Sequence, residues 1–173
     1  MRLEQILTDV EYKILQGTLD KDVADIAYDS RKTVKGGMFV AIQGTLVDGH
    51  NFIESAVEAG AEVIVVEKET DVENRDITVL MVESGRKALS LMSAAYFDYP
   101  AKTIKVIGIT GTKGKTTTTY MVKSILEGAG YRVGLIGTIE TIIGETVIPS
   151  ANTTPESYLV QKYFRKMADM GCD

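Results

Sequence analysis

The sequence predicts an α/β protein in two parts: a small N-terminal α/β domain at residues 1–98, and the first part of a parallel-sheet domain at residues 103–173. Short apolar runs typical of strands alternate with amphipathic runs typical of helices. Such alternation indicates helices layered on a sheet, in contrast to a helix bundle or a β-sandwich. The segment 98–101 (DYPA) interrupts the pattern, because a proline disfavours helical backbone in the residue before it. We therefore place the domain boundary at this segment.

The first part contains strands and helices in alternation. Apolar residues recur at helical spacing from Leu3 to Val10 at the N-terminus. The elements that follow are strands at residues 24–28 and 38–42, a helix at 51–59, strands at 62–66 and 77–82, and a helix at 86–97. This order is typical of an α/β layer fold.

The second part begins with the apolar run 104–109 (IKVIGI), which predicts a strand covered on both faces. The elements predicted after it are a loop at 110–114, a helix at 115–129, a strand at 132–136, a hairpin of 139–143 with 146–148, and a helix from Thr154-Pro155 to about Met170. A strand–helix unit needs a following parallel strand, and none follows Gly171. We therefore expect this part to be the start of a longer parallel-sheet domain.

Composition excludes several classes of partner. With 24 acidic and 19 basic side chains, the chain has no overall basic field that would attract nucleic acid. One cysteine, Cys172, allows no internal disulfide. No apolar run is long enough to span a bilayer, and the N-terminus lacks the pattern of a signal peptide. We expect a cytoplasmic protein without membrane insertion.

A glycine-rich segment, 108–117 (GITGTKGKTT), lies between the predicted strand and helix of the second part. Its glycines let backbone N–H groups turn towards phosphate oxygens, and the helix start adds free N–H groups and a positive dipole end. Lys115 can reach the terminal phosphates of a nucleotide, and the Thr116 hydroxyl can ligate magnesium. Gly108 precedes Gly114 by six positions, one more than the usual spacing, so this is a variant phosphate loop. The predicted ligands are ATP and Mg²⁺.

Within this loop we assign catalytic roles to Lys115 and Thr116, and we also assign Thr116 as the metal ligand. The nucleotide-binding set is Gly111, Thr112, Lys113, Gly114, Lys115, Thr116 and Thr117. Lys113 either touches phosphate or points into water, and Thr118 and Thr119 are assigned to packing and local backbone bonding. A tight turn with a solvated lysine is the structural alternative for the whole segment.

The loop GTKGKTT resembles that of the Mur ligases, ATP-dependent enzymes that build the peptide of the bacterial cell-wall precursor, but also that of folylpolyglutamate synthetases. The N-terminal half is more specific. Its segments Asp29-Ser30-Arg31, 36–41 (GGMFVA), Gly44, Asp48-Gly49-His50, Phe52-Ile53 and Gly60-Ala61 resemble the N-terminal domains of MurE and MurF ligases. Downstream, 137–139 (GTI) and 152–156 (NTTPE) resemble the MurE type, since MurF proteins lack the Asn-Thr-Thr-Pro segment.

This resemblance implies a monomeric, ATP-dependent ligase of peptidoglycan synthesis that forms a carbon–nitrogen bond. Such an enzyme adds meso-diaminopimelate or L-lysine to UDP-N-acetylmuramoyl-L-alanyl-D-glutamate through an acyl phosphate. It also implies that residues 1–98 bind the UDP-sugar-peptide and that residues 103–173 begin the ATP-binding domain. The family's magnesium-binding glutamate, carbamylated lysine and C-terminal ligase domain would lie beyond Asp173. The chain is therefore expected to bind substrate and to be catalytically incomplete.

The resemblance also implies which residues contact the sugar nucleotide. Tyr28, Ser30, Thr45, Leu46 and Val47 match positions that hold the UDP end, and Asn152, Thr153 and Thr154 match positions near the muramoyl and pyrophosphate part. Each has an alternative. Asp29-Ser30-Arg31 is typical of a capped turn, His50 could merely cap the helix near Asn51, and Thr154-Pro155 is typical of a helix start.

Two other functions stay open. The first is a MurF-type or folylpolyglutamate-like ligase, against which the segment 152–156 argues. The second is a non-catalytic protein that binds a nucleotide or a UDP-sugar.

Overall fold

The structure is a computed structural model that describes residues 1–44, 47–150 and 152–173. The chain divides into two compact units, Met1–Tyr96 and Phe97–Asp173. Both units combine helices with strands, so the predicted α/β class is confirmed. Within the described residues no helix has the length and apolar character needed to cross a membrane.

The described residues of the first unit form one five-stranded sheet. Its strands are β1 (Lys13–Gln16), β2 (Ile26–Ala27), β3 (Gly37–Val40), β4 (Ala61–Val66) and β5 (Thr78–Met81), in the order β1-β5-β4-β3-β2. β2 to β5 run parallel, whereas β1 pairs antiparallel with β5 at the edge. The sequence pattern did not predict β1, which has only two apolar residues between Lys13 and Gln16 and is at most half-buried.

The α-helices in the described part of this unit are α1 (Leu3–Ile6), α2 (Ile53–Glu58) and α3 (Gly85–Tyr96). β3 is buried throughout and β4 is buried except at Glu62, as expected for central parallel strands covered on both faces. The carboxyl ends of β2, β3 and β4 lie along the same edge of the sheet, because these strands run in parallel. Ligands of open parallel sheets bind at that edge.

The second unit contains α4 (Lys115–Gly128), β6 (Leu135–Ile136), β7 (Glu140–Ile143), β8 (Thr146–Pro149) and α5 (Ser157–Asp169). Its described strands form an antiparallel sheet in the order β6-β7-β8. The predicted hairpin is confirmed, since Ile143 pairs with Thr146 across Gly144-Glu145. The predicted strand 132–136 is shortened to its last two residues.

The predicted strand at 104–109 is wrong. Residues 104–109, all of them described, form no strand, and Val106 and Ile107 are 52% and 61% exposed. An apolar run reports a tendency to be buried, but a strand also needs neighbours that accept its hydrogen bonds. Here Lys105 N–H donates instead to the carbonyl of Asp173, at 2.7 Å. The parallel sheet predicted for this unit is therefore not formed by the described residues.

The end of α3 and the start of α5 also differ from the prediction. α3 ends at Tyr96, and the next turn places Asp98 and Tyr99 in left-handed backbone, with φ of 58° and 45°, before Pro100. α5 begins at Ser157, with Glu156 in the capping position, so the expected start at Thr154-Pro155 is wrong by about half a turn. Thr154 and Pro155 lie in the irregular segment before the helix.

Candidate nucleotide-binding site

The phosphate loop ends in a glycine whose backbone conformation other residues rarely adopt. Gly114 has φ 78° and ψ −7°, in the left-handed region, and caps the N-terminus of α4. A Cβ built on Gly114 meets no atom within 4 Å. Glycine is therefore required here by the backbone turn and not by lack of space.

The start of α4 offers hydrogen-bond donors. A helix leaves its first N–H groups without intrahelical partners, and they carry the positive end of the helix dipole. Gly114 accepts from Thr118 N at 2.9 Å, which closes the first turn, and has no side chain that could satisfy the donors before it. The loop and helix together form the arrangement that binds phosphate groups in proteins.

Two side chains of this turn carry the predicted chemistry. Lys115 is half-buried, and its Nζ donates to the carbonyl of Gly111 at 2.6 Å, so the ammonium group lies over the loop. Thr116 is half-buried beside it. Thr119 Oγ1 donates to the carbonyl of Thr116 at 2.7 Å, the local backbone bond that the sequence assigned to this residue.

A cavity of about 410 Å³ opens at this loop, a size suited to a small ligand. Its lining consists of Thr112, Lys113, Gly114, Lys115, Thr116, Thr117, Thr138 and Thr153. The structure thus brings Thr153 to the phosphate loop, whereas Asn152 and Thr154 are exposed and outside the lining. Thr138 was not predicted as a site residue, although the segment 137–139 had been singled out for its resemblance.

The site offers a metal ion few ligands from the protein. Over residues 1–44, 47–150 and 152–173, no three His, Cys, Asp or Glu side chains cluster in a way that could hold a metal. Mg²⁺ needs six oxygen ligands and is commonly held by one or two protein groups, substrate phosphates and water. The hydroxyl of Thr116 in the cavity fits such a site, in which the nucleotide brings most of the ligands.

In the first unit, the described residues among those predicted to contact UDP follow β2 and β3 at the carboxyl edge of the sheet. Ser30 is 7% exposed and begins a 3₁₀ turn that Asp29 caps by accepting from Arg31 N. The capped turn considered for this segment is thus present. Tyr28 is half-buried and Val47 is exposed, while Thr45 and Leu46 lie outside the described residues.

His50 does not cap a helix, because Asp48 does. Asp48 Oδ1 accepts from His50 N at 3.0 Å at the start of the 3₁₀ helix Gly49–Phe52. The Lys68 ammonium, followed by the backbone N–H and ring of His50, holds the pKa of the Asp48 carboxyl well below its usual value. The His50 side chain is 5% exposed and contacts both Asp48 and the backbone of Glu67. Sequence analysis missed these contacts, since Glu67 is 17 residues away.

Comparison with known proteins identifies both units. A family model described as Mur ligase family, catalytic domain, matches residues 22–97, and one for the Mur ligase middle domain matches residues 109–173. A curated relative from Clostridium tetani, named UDP-N-acetylmuramoyl-L-alanyl-D-glutamate–2,6-diaminopimelate ligase, is 49% identical over 175 residues. That alignment covers 100% of this chain and 36% of the relative. The chain thus spans about a third of the length of the curated relatives it matches.

Solved structures show the same fold. A structure named for the same diaminopimelate ligase superposes with a TM-score of 0.78 at 21% identity, over 99% of this chain and 34% of that one. A MurF ligase from Thermotoga maritima, in complex with ADP, gives a TM-score of 0.54 at 25% identity, over 81% of this chain and 28% of that one. Since the two family models together account for residues 22–97 and 109–173, the chain belongs to the Mur ligase family.

Proposed function

We propose that this chain supplies the sugar-nucleotide-binding unit and the phosphate loop of an ATP-dependent amide ligase of the MurE type. We further propose that it acts in peptidoglycan synthesis in the cytoplasm, as a monomer. The observation that carries the proposal is the phosphate loop itself, in which left-handed Gly114, the start of α4 and Lys115 line one cavity. This arrangement suits the phosphates of ATP, and the relative crystallised with ADP supports a nucleotide as its ligand.

The names of the relatives favour particular substrates. At 49% identity, the Clostridium tetani protein is named for UDP-N-acetylmuramoyl-L-alanyl-D-glutamate and 2,6-diaminopimelate. Of the two diamino acids that the resemblance allows, we therefore propose diaminopimelate. Tyr28, Ser30, Thr45, Leu46 and Val47 are proposed to bind the UDP end. Asn152, Thr153 and Thr154 are proposed to contact the muramoyl and pyrophosphate part.

The chemistry explains why the loop is needed. A carboxylate is a poor electrophile, and bound ATP supplies a γ-phosphoryl group that converts the D-glutamate γ-carboxylate into an acyl phosphate, with ADP leaving. The diamino acid's amine then attacks the carbonyl carbon, phosphate leaves with the bonding electrons, and the nitrogen releases a proton to form the amide. Lys115 and the N–H groups at the start of α4 stabilise the negative charge on the phosphoryl oxygens, and Thr116 contributes one oxygen to Mg²⁺. We therefore propose that the first unit recognises the sugar nucleotide and that the second unit binds the phosphates of ATP.

Calorimetric titration of the chain tests both parts of the proposal. UDP-N-acetylmuramoyl-L-alanyl-D-glutamate, UDP and Mg-ATP are used as separate titrants. Ser30→Ala is expected to weaken binding of the muramoyl nucleotide, and Lys115→Ala is expected to weaken Mg-ATP binding by about tenfold or more, because a charge-assisted contact is lost. Lys166→Ala, an exposed lysine of α5 outside the cavity lining, is the matched control and is expected to change neither.

The outcomes separate the candidate functions. Mg-ATP binding by a folded chain that does not bind the muramoyl nucleotide would leave the phosphate loop in place and reject the cell-wall substrate. A fourth titrant, the muramoyl nucleotide that already carries the diamino acid, tests the alternative, and tighter binding of this titrant would favour a MurF-type ligase. Absence of Mg-ATP binding would reject the nucleotide site.

A further inference from the structure

Between β3 and α2, the described residues on either side of positions 45 and 46 are bonded to one another, and the segment Gln43–Asp48 is called the Gln43–Asp48 loop. Gly44 N donates to the carbonyl of Val47 at 3.0 Å, and Gly49 N donates to the carbonyl of Ile42 at 2.9 Å. A Cβ on Gly49 would lie 2.7 Å from the Ile42 oxygen, so a side chain there would prevent closure. These bonds close the loop, but they do not attach it to the rest of the unit.

Residues just after β4 make that attachment. Glu67 Oε2 accepts from Gln43 N at 2.9 Å, at the beginning of the loop, and Glu67 Oε1 accepts from Gly85 N, the first residue of α3, at 2.6 Å. At the other end of the loop, Asp48 Oδ2 accepts from Lys68 Nζ at 2.8 Å. Both ends of the Gln43–Asp48 loop are therefore bonded to Glu67 and Lys68.

His50 completes the connection and uses both ring nitrogens to do so. Its Nε2 lies 3.0 Å from Glu67 N, and since a backbone N–H only donates, Nε2 must be the acceptor. The ring proton is then on Nδ1, which donates to Asp48 Oδ1 at 2.6 Å. With 5% of its side chain exposed, the histidine has no nitrogen left for a ligand. Its position makes it a link between the loop and β4.

We propose that His50 and Glu67 are positioning residues for the sugar nucleotide. They hold the two described ends of the Gln43–Asp48 loop, Gln43 and Asp48, in the positions needed for UDP binding, and neither touches the ligand. Val47, next to Asp48, is 55% exposed. The inference rests on the proposed function, which assigns the UDP end to this loop. A loop that must be ordered during binding lowers the apparent affinity by the fraction of molecules in which it is already competent.

Glu67→Gln tests the carboxylate with almost no change of shape. Its amide can accept from only one of the two N–H groups and turns a donor towards the other. The Kd for UDP is expected to rise about tenfold, because a hydrogen bond between an N–H group and a charged carboxylate is lost. Glu69→Gln is the matched control, because this 80% exposed carboxylate pairs with Lys13 at 3.7 Å. The Kd of the Glu69→Gln variant for UDP is expected to stay at the wild-type value.

Three substitutions at His50 separate its two bonds. His50→Gln places an acceptor where the histidine Nε2 lies, and His50→Asn places a donor where Nδ1 lies. His50→Ala provides neither group. His50→Ala is expected to weaken UDP binding most, and His50→Gln and His50→Asn are each expected to recover part of the affinity. Amide exchange should accelerate at residues 43–49 and stay unchanged in β5, and saturating UDP should restore the protection.

The outcomes distinguish this inference from the proposed function. A wild-type chain that binds UDP, with unchanged Kd in Glu67→Gln and His50→Ala, would overturn the inference alone. The inference would also be overturned if the Kd for UDP varied with the thermal midpoint of unfolding of each variant and not with its amide exchange rate at residues 43–49. Such a result would indicate a general loss of stability. A folded wild-type chain that does not bind UDP would overturn the proposed function and this inference together.

Discussion

At the scale of single residues, the phosphate loop depends on backbone conformation more than on side-chain contacts. Gly114 needs a positive φ to turn the chain into α4, and the turn sets the direction of the N–H groups that follow. Lys115 and Thr116 then take their places in the cavity lining because they are the first residues of the helix. The backbone conformation of Gly114 therefore affects the N–H groups at the start of α4 and the positions of Lys115 and Thr116.

Gly114→Ala is expected to destabilise the folded chain by about 1 kcal/mol, because a Cβ disfavours left-handed backbone, and to weaken Mg-ATP binding. The same substitution at Gly128 is the control. Gly128 lies inside the last turn of α4 with no atom near its Cβ position, so Gly128→Ala is expected to stabilise by about 0.5 kcal/mol. Urea unfolding followed by circular dichroism measures both. Equal effects of the two substitutions would contradict the conformational argument.

At the scale of elements, the segments that follow the parallel strands carry the candidate substrate contacts. The described ends of the segment after β3 are bonded to each other through their backbone, and Glu67 and Lys68, which follow β4, bond these ends to the rest of the unit. Asp48 is central, since its carboxylate accepts from Lys68 and from both the backbone and the ring of His50. These donors favour the ionised carboxylate, which links the stability of this segment to pH.

Because the pKa of Asp48 is lower in the folded than in the unfolded chain, its contribution to stability is fully present above the unfolded value near 3.8. That contribution is lost as the pH falls through the lower folded pKa. Asp48→Asn is therefore expected to be less stable than wild type at pH 7, and the difference should shrink progressively below about pH 4. Urea denaturation at pH 7, 5 and 3 measures the difference. Asp71→Asn, at an exposed carboxylate paired with Arg75, is the control. A difference that grows on acidification would contradict the prediction.

At the scale of the whole molecule, the two units differ in how they bury apolar residues. β3 and β4 are almost completely buried and form the centre of the first unit. In the second unit, all of α4 is described and none of its residues is buried, with Met121 and Ile125 exposed together on one face. Local stability follows buried apolar contacts, so the second unit is expected to open more easily than the first.

Hydrogen exchange of the intact chain measures this difference. Amides of β3 and β4 are expected to exchange much more slowly than those of α4 and of residues 104–109, because the latter have little apolar burial. β1 serves as an internal reference, since it lies at the edge of the same sheet as β3 and β4. Uniform protection across both units would reject the expectation.

Local features of the sequence were enough for several conclusions. The α/β class followed from alternating periodicities, and the hairpin followed from Gly144-Glu145 between two apolar runs. The glycine turn at Gly114 that leads into α4 could also be recognised, because such a turn is encoded within about ten consecutive residues. These features depend on residues that are near one another along the chain.

Only the tertiary structure decided the features that depend on distant partners. It placed β1 at the sheet edge, left the apolar run 104–109 without a strand, and brought Thr138 and Thr153 into the cavity of the phosphate loop. It also showed that the ring of His50, considered from the sequence as a possible helix cap, contacts Asp48 and the backbone of Glu67. Periodicity reports which side of an element tends to be buried. Hydrogen-bond partners across tens of residues are set by how the elements pack, which no local pattern contains.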